Sequence, residues 1–117
     1  MFTPNPERSF TKKVTFNVPT DQGGFQQHTL AVEYRSLPKD QLAELQDQQD
    51  DDATYAQAVI GVEGVGDADG NAIKPKDAKA AMAQESSFVY EAVLTYYDAM
   101  LGGNLKGKTS KRRRAAG

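Results

Sequence analysis

The chain has no cysteine and no tryptophan, and its one histidine is His28. Without cysteine it forms no disulfide, offers no thiolate to a metal and has no sulfur nucleophile. A lone histidine gives acid–base catalysis little to work with. The acids fall in runs such as "DQQDDD", which read as solvated helix ends rather than paired carboxylates. These shortages point away from an enzyme. No apolar run approaches the ~18 residues that a membrane-crossing helix needs. The opening "MFTPNPERSF" is polar and has no apolar h-region, so no secretory leader is expected and a reducing cytoplasm is the plain reading.

What is present fits one domain. Hydrophobic residues make up 38% of the 117-residue chain and charged residues 26%, enough apolar content for one modest core. The net charge of −2 conceals an asymmetry. Lys106, Lys108, Lys111, Arg112, Arg113 and Arg114 place six positive charges in the last twelve residues, with no acid among them. Setting those six aside from the 14 Lys and Arg leaves eight bases against 16 acids, a balance of −8 for the rest. The body is acidic and the end is basic.

Periodicity divides the chain. Residues 1–10, with two prolines and no repeat, read as a flexible arm. "KVTFNV" sets Val14, Phe16 and Val18 at alternate positions, and "TLAVEY" does the same with Leu30, Val32 and Tyr34. Period two predicts strands with one apolar face, joined as a hairpin through a segment containing Gly23 and Gly24. From Ser36 the spacing becomes helical: Ser36 as cap, Pro38 in the first turn, Leu42 and Leu45 on one side and Leu37 as a staple. Asp50, Asp51 and Asp52 break that helix and start another, predicted to run through Tyr55, Val59 and Ile60. Pro75 opens a short alanine-rich helix. Residues 87–101, capped by Ser86 or Ser87 and stopped by Gly102-Gly103, form the most regular one, with Phe88, Val89, Ala92, Val93, Tyr96 and Met100 on a broad apolar face. The expected fold class is α+β. A β-hairpin precedes a body of three to four helices in one domain over 11–103, followed by a disordered basic tail at 104–117.

The stretch "AVIGVEGVGDADGNAIKP" is the one segment with the look of a ligand loop. With Gly70 in the sixth place of an EF-hand loop, Asp67 and Asp69 fall at ligand positions. However, Val65 stands at the first and Lys76, a cation, at the twelfth. "GVEGVG" spaces its glycines as G-x-x-G-x-G, which is not a dinucleotide fingerprint. "GGNLKGKT" matches the P-loop spacing, but only eight residues follow it, too few for a helix that could present its amides to phosphate. No metal and no cofactor is expected. "DADGN" reads as a turn, with Asp and Asn capping local N–H groups and Gly supplying positive φ. The basic end, free of aromatics, could meet phosphates, an acidic protein surface or solvent alone. Base stacking is excluded there.

Three segments carry a family resemblance. "YRSLPKDQLAEL" is similar to a strand exit into a first helix. "VIGVEGVGDADGNAI" is similar to a helix end followed by glycine pairs and an acidic-glycine turn. "VYEAVLTYYDAMLGGNLKGK" is similar to a terminal helix running into a basic end. Together they resemble the tail assembly chaperones of long-tailed, lambda-like bacteriophages, over roughly residues 14–108. The resemblance implies a non-catalytic protein of the host cytoplasm, absent from the mature virion. Such a protein binds the long helical tape measure protein, keeps it soluble and helps recruit tail tube protein. Self-association into a homo-oligomer fits this role, while a nucleic-acid partner and a membrane are not expected. The partner surface it implies is apolar area on the terminal helix: Tyr90, Tyr96, Tyr97, Met100 and Leu101. The alternatives are a small nucleic-acid-binding accessory protein acting through its basic end, and a structural tail or connector subunit. One departure stands out: Val62 occupies a place where the family often has an aromatic, a loss of up to about 2 kcal/mol of burial. Tyr55 or Phe88 are the residues placed to compensate.

Overall fold

The computed structural model describes residues 8–102. Alternating apolar residues build β1 (Ser9–Pro19) and β2 (Phe25–Arg35), paired antiparallel from Ser9↔Arg35 to Pro19↔Phe25. Successive side chains point to opposite faces. Phe10, Val14, Phe16 and Val18 therefore share one face with Leu30, Val32 and Tyr34, and that face carries the buried residues. The other face is polar, and there the Thr15 and Thr29 hydroxyls lie 2.9 Å apart. Between the strands the Thr20 N–H donates to the Gly24 carbonyl at 2.8 Å, and Gly23 takes φ +87°. The ladder extends beyond the alternating core of each pattern. Pro19 and residues 25–28 are paired, and Ser9 and Phe10 belong to β1 instead of the arm.

Two helices follow, α1 (Lys39–Gln48) and α2 (Asp51–Ala58). Ser36, expected to cap α1, does not; its hydroxyl donates to Met100 Sδ at 3.6 Å, and α1 starts after Pro38 with no side-chain cap. The acid run does separate the helices. Gln49 ends α1 in the left-handed region (φ 52°), and the Asp50 carboxylate accepts the Ala53 N–H at 3.1 Å to cap α2.

The expected continuation of α2 through Val59 and Ile60 is corrected by the structure. These residues open a third strand, β3 (Val59–Glu63), antiparallel to β2. A β-branched run with a glycine loses χ1 freedom in a helix but packs well on a pleated surface. Here the second edge of β2 was free to pair with it. The register runs Ala31↔Glu63, Val32↔Val62 and Glu33↔Gly61, then slips to Tyr34↔Val59, leaving Ile60 as the extra residue of a bulge. Val62 lies fully buried on β3, opposite Val32 of the central strand. The chain continues into α3 (Pro75–Met82) and α4 (Ser86–Met100). Three antiparallel strands in the order β1-β2-β3 and four helices make a mixed α+β fold among the described residues. None of these helices is long and apolar enough to cross a membrane.

α4 is the centre of the packing. It is apolar around most of its circumference, which suits a helix covered on several sides, and no residue from Ser87 to Met100 is fully exposed. Phe88 meets Phe16 edge-on at 5.0 Å and Tyr55 at 6.0 Å, so Tyr55 and Phe88 do pack together in the core beside the sheet. Tyr96 lies 5.2 Å from Tyr34 and stacks on Phe10 at 6.1 Å. The Tyr34 hydroxyl donates to the Ala92 carbonyl at 2.8 Å. On the far side of α4 the Tyr97 and Thr54 hydroxyls are 2.9 Å apart, tying α4 to α2.

Phe88→Ala removes a ring with no solvent exposure and should cost about 3–5 kcal/mol in urea unfolding. Phe25→Ala, at a side chain 73% exposed, should stay within about 0.5 kcal/mol. Alkaline unfolding gives a second check. Burial, reinforced by Tyr55 and Tyr96, raises the Tyr34 hydroxyl, and burial raises Tyr55 to about 12. Burial also raises Tyr96, against the opposing effect of its bond to Leu37. Tyrosines in the unfolded chain ionise near ~10. The stability these groups contribute is therefore complete below that pH and drains as pH climbs toward the folded values. Tyrosinate absorbance and far-UV ellipticity should change together between about pH 10 and 12. Ionisation of Tyr34, Tyr55 and Tyr96 with ellipticity unchanged would contradict this packing.

Candidate interaction surfaces

The five α4 residues expected to meet a partner divide into two groups. Tyr96 has no exposure and Tyr97 only 5%. The Tyr96 hydroxyl accepts the Leu37 N–H at 3.1 Å and donates to the Arg35 carbonyl at 2.9 Å. Both rings face the protein's own core, because a buried phenol needs hydrogen-bond partners and here finds them on β2's exit and on α2. Tyr90, Met100 and Leu101 are half-buried. Tyr90 and Leu101, eleven positions apart, fall within about 20° around a helix, whereas Met100 is turned about 80° from Tyr90. Met100 is further held by Ser36. The accessible remainder is a narrow stripe along α4 with an apolar end. The basic residues Lys106, Lys108, Lys111, Arg112, Arg113 and Arg114 lie outside the described residues.

The glycine-rich segment folds as a connector. After β3 the chain makes a small loop closed by a Gly66↔Ala72 bridge and by the Ile73 N–H donating to the Val65 carbonyl at 3.1 Å. Asp67 Oδ1 accepts the N–H groups of Asp69 and Asn71, both at 2.9 Å, and Gly70 takes φ +84°. This is an Asx-type turn, in which the carboxylate caps local backbone N–H groups. Among the described residues no group of three or more His, Asp or Glu is placed to hold a metal ion. Gly61 has a different role. It is buried in β3, and a Cβ there would sit 2.8 Å from Pro75 Cβ, so its missing side chain lets α3 close onto the strand.

His28 is exposed in β2, its ring 5.8 Å from Phe16 and tilted to it. One cluster escaped the sequence reading. Arg35, Lys74, Lys76 and Lys79 gather around a groove between α2, α3 and the sheet. Lys74, Lys76 and Lys79 are near neighbours in sequence, but Arg35 stands 39 positions earlier and only the fold adds it to them.

Comparison with protein-family models, with curated proteins and with solved structures finds no match to this chain.

Gly61→Ala should destabilise by ~1–3 kcal/mol in chemical denaturation. Its cost should shrink in a Pro75→Gly background, since the two sites share one contact. Equal cost in both backgrounds would mean that the approach of Pro75 is not what demands glycine.

Proposed function

We propose that this chain is a non-catalytic assembly protein of the tail-assembly-chaperone kind, working in the host cytoplasm. It binds the tape measure protein, keeps it soluble and helps recruit tail tube subunits, then leaves the finished particle. The observation that carries the reading is the order of its segments. A strand leaves β2 into α1 at "YRSLPKDQLAEL", a glycine-valine and acidic-turn segment follows, and α4 runs on toward a basic end. The part of α4 offered to a partner is the stripe of Tyr90 and Leu101 with neighbouring Met100. Half-buried tyrosine, methionine and leucine suit an adaptable grip on another helix. The six basic residues between Lys106 and Arg114, outside the described residues, belong to this proposal as a concentration of positive charge.

A second reading is favoured by the six cations of the last twelve residues: a nucleic-acid accessory protein acting through that end. Salt and truncation separate the two. Nucleic-acid binding through phosphates falls steeply with salt and would vanish on deleting 106–117. A protein-binding role through α4 would survive that deletion. A structural tail or connector subunit would instead be retained, and mass spectrometry of purified particles would detect it.

Co-expression with a tape measure protein of a long-tailed phage should raise that protein's soluble fraction, and the two should co-purify. Tyr90→Asp with Leu101→Asp should weaken the complex by about tenfold or more, with the Phe25→Ala control unchanged. Co-purification indifferent to both α4 substitutions would remove the stripe from the binding surface. No soluble complex at all would remove the reading itself.

A further inference from the structure

A groove of about 1070 Å³ opens between α2, α3 and the outer side of β2 and β3. Its floor is apolar, made by Tyr55, Val59, Ile60, Pro75 and Ala80 among others. Its rim holds four cations, Arg35, Lys74, Lys76 and Lys79, against two acids, Glu33 and Asp52. Arg35, Lys74 and Lys76 are exposed. The fold itself brings them together: β2 supplies Arg35, and closure of α3 onto Gly61 swings Lys74, Lys76 and Lys79 over the same opening. In a chain whose described part is otherwise acidic, this is a local reversal of sign.

We propose that this groove docks an acidic segment of a partner polypeptide, with apolar side chains seated on the floor and carboxylates facing the rim. Three observations lead there. First, the groove is an open trough at the upper end of small-molecule pocket volumes, which run to ~1,000 Å³, so it favours an extended occupant. Second, charge complementarity selects an acidic one: the side chains that disturb Lys79 are both cations. Burial lowers the Lys79 ammonium first, then Arg35 and Lys76 lower it further. An incoming carboxylate relieves that repulsion. Third, Glu33 and Asp52 on the same rim repel a uniformly anionic polymer. A polypeptide can set a neutral or basic residue opposite each of them, which a phosphate backbone cannot. Lys79 is also half-committed as a structural contact, donating to the Ala56 carbonyl at 2.8 Å while the Tyr55 hydroxyl donates to the Lys79 carbonyl at 2.7 Å. The exposed charges left for recognition are therefore Lys74, Lys76 and Arg35. This surface is separate from the α4 stripe, and the inference does not rest on the tail-assembly reading.

The test uses fluorescence anisotropy with the full chain and a labelled peptide of glutamates with interspersed leucines. Lys74→Glu with Lys76→Glu should weaken binding by about tenfold or more, and the neutral pair Lys74→Gln with Lys76→Gln should fall between. Both positions are exposed, so the variants should keep the wild-type circular dichroism and melting midpoint. Ala80→Glu, which places a charge on the floor, should weaken binding without touching a rim cation. A lysine-leucine peptide should not bind. The proposal is overturned by no binding of the glutamate-leucine peptide, or by binding indifferent to all these substitutions. It is overturned equally if leucine-free polyglutamate binds as tightly, or if a single-stranded oligonucleotide takes the groove with the same dependence on Lys74 and Lys76.

Discussion

The structure depends on a pair of buried phenols, Tyr34 in β2 and Tyr96 in α4. Neither has any solvent exposure, and their rings lie 5.2 Å apart. A tyrosine buried this way contributes a large apolar area, but only if its hydroxyl finds a partner. Tyr34 reaches across to the Ala92 carbonyl of α4, and Tyr96 reaches back to Arg35 and Leu37 at the end of β2. These three bonds cross one interface from both sides, one from the sheet to α4 and two between α4 and the end of β2. They set where α4 lies along the strand and also how the chain leaves the sheet toward α1. Losing the Tyr96 phenol would leave the Leu37 N–H and the Arg35 carbonyl without this partner, and losing the Tyr34 ring would open a cavity at the same seam.

That constraint decides what surface is left for other molecules. α4 reads in isolation as an excess of greasy area, since it carries three tyrosines with Phe88, Met100 and several aliphatic residues. Most of that area closes the protein's own core: Phe88 fills the gap between Phe16 and Tyr55, Tyr96 covers Tyr34, and Tyr97 locks onto Thr54 of α2. What remains of it among the described residues is the Tyr90–Leu101 stripe, while the groove beside α3 is lined by other elements. The groove exists because Gly61 lacks a side chain. With a Cβ in the way of Pro75, α3 would stand off from β3, and the lysines it carries would no longer face Arg35.

The sequence made some of this plain and concealed the rest, for physical reasons. Strict alternation in "KVTFNV" and "TLAVEY" reports a half-buried strand with little ambiguity, and the run Asp50–Asp52 marks a helix boundary because Asp50 caps while the others suit a first turn. β3 was hidden. Its five residues are too few to show a period, the preceding helix has apolar residues of its own, and the bulge at Ile60 shifts the register partway along. Ser36 misled for a related reason. A serine ahead of a helix is a capping signal on local grounds, yet a methionine sixty-four positions later competes for its hydroxyl. The burial of Tyr96 and Tyr97 and the clustering of Arg35 with Lys74, Lys76 and Lys79 are likewise tertiary facts. Helical periodicity identifies an apolar face but does not say whether the chain itself or another molecule covers it. No local charge count sums residues from separate elements.

The two remaining surfaces differ in the physics of what they can hold. Contact along the α4 stripe would be driven by removal of apolar area from water, so salt would weaken it little. Contact in the α3 groove combines apolar seating with exposed cations, and the ionic part is screened over about 8–10 Å at ordinary ionic strength. A protein that bound one partner through both would therefore keep its grip in high salt while losing selectivity for acidic sequences. Two partners held on separate surfaces would be released one at a time. The fold makes the second arrangement geometrically available, because the core packing of α4 separates the stripe from the groove: α2 and the Tyr55–Phe88 contact lie between them. The same aromatic packing that consumes most of α4's apolar surface is what keeps these two sites apart.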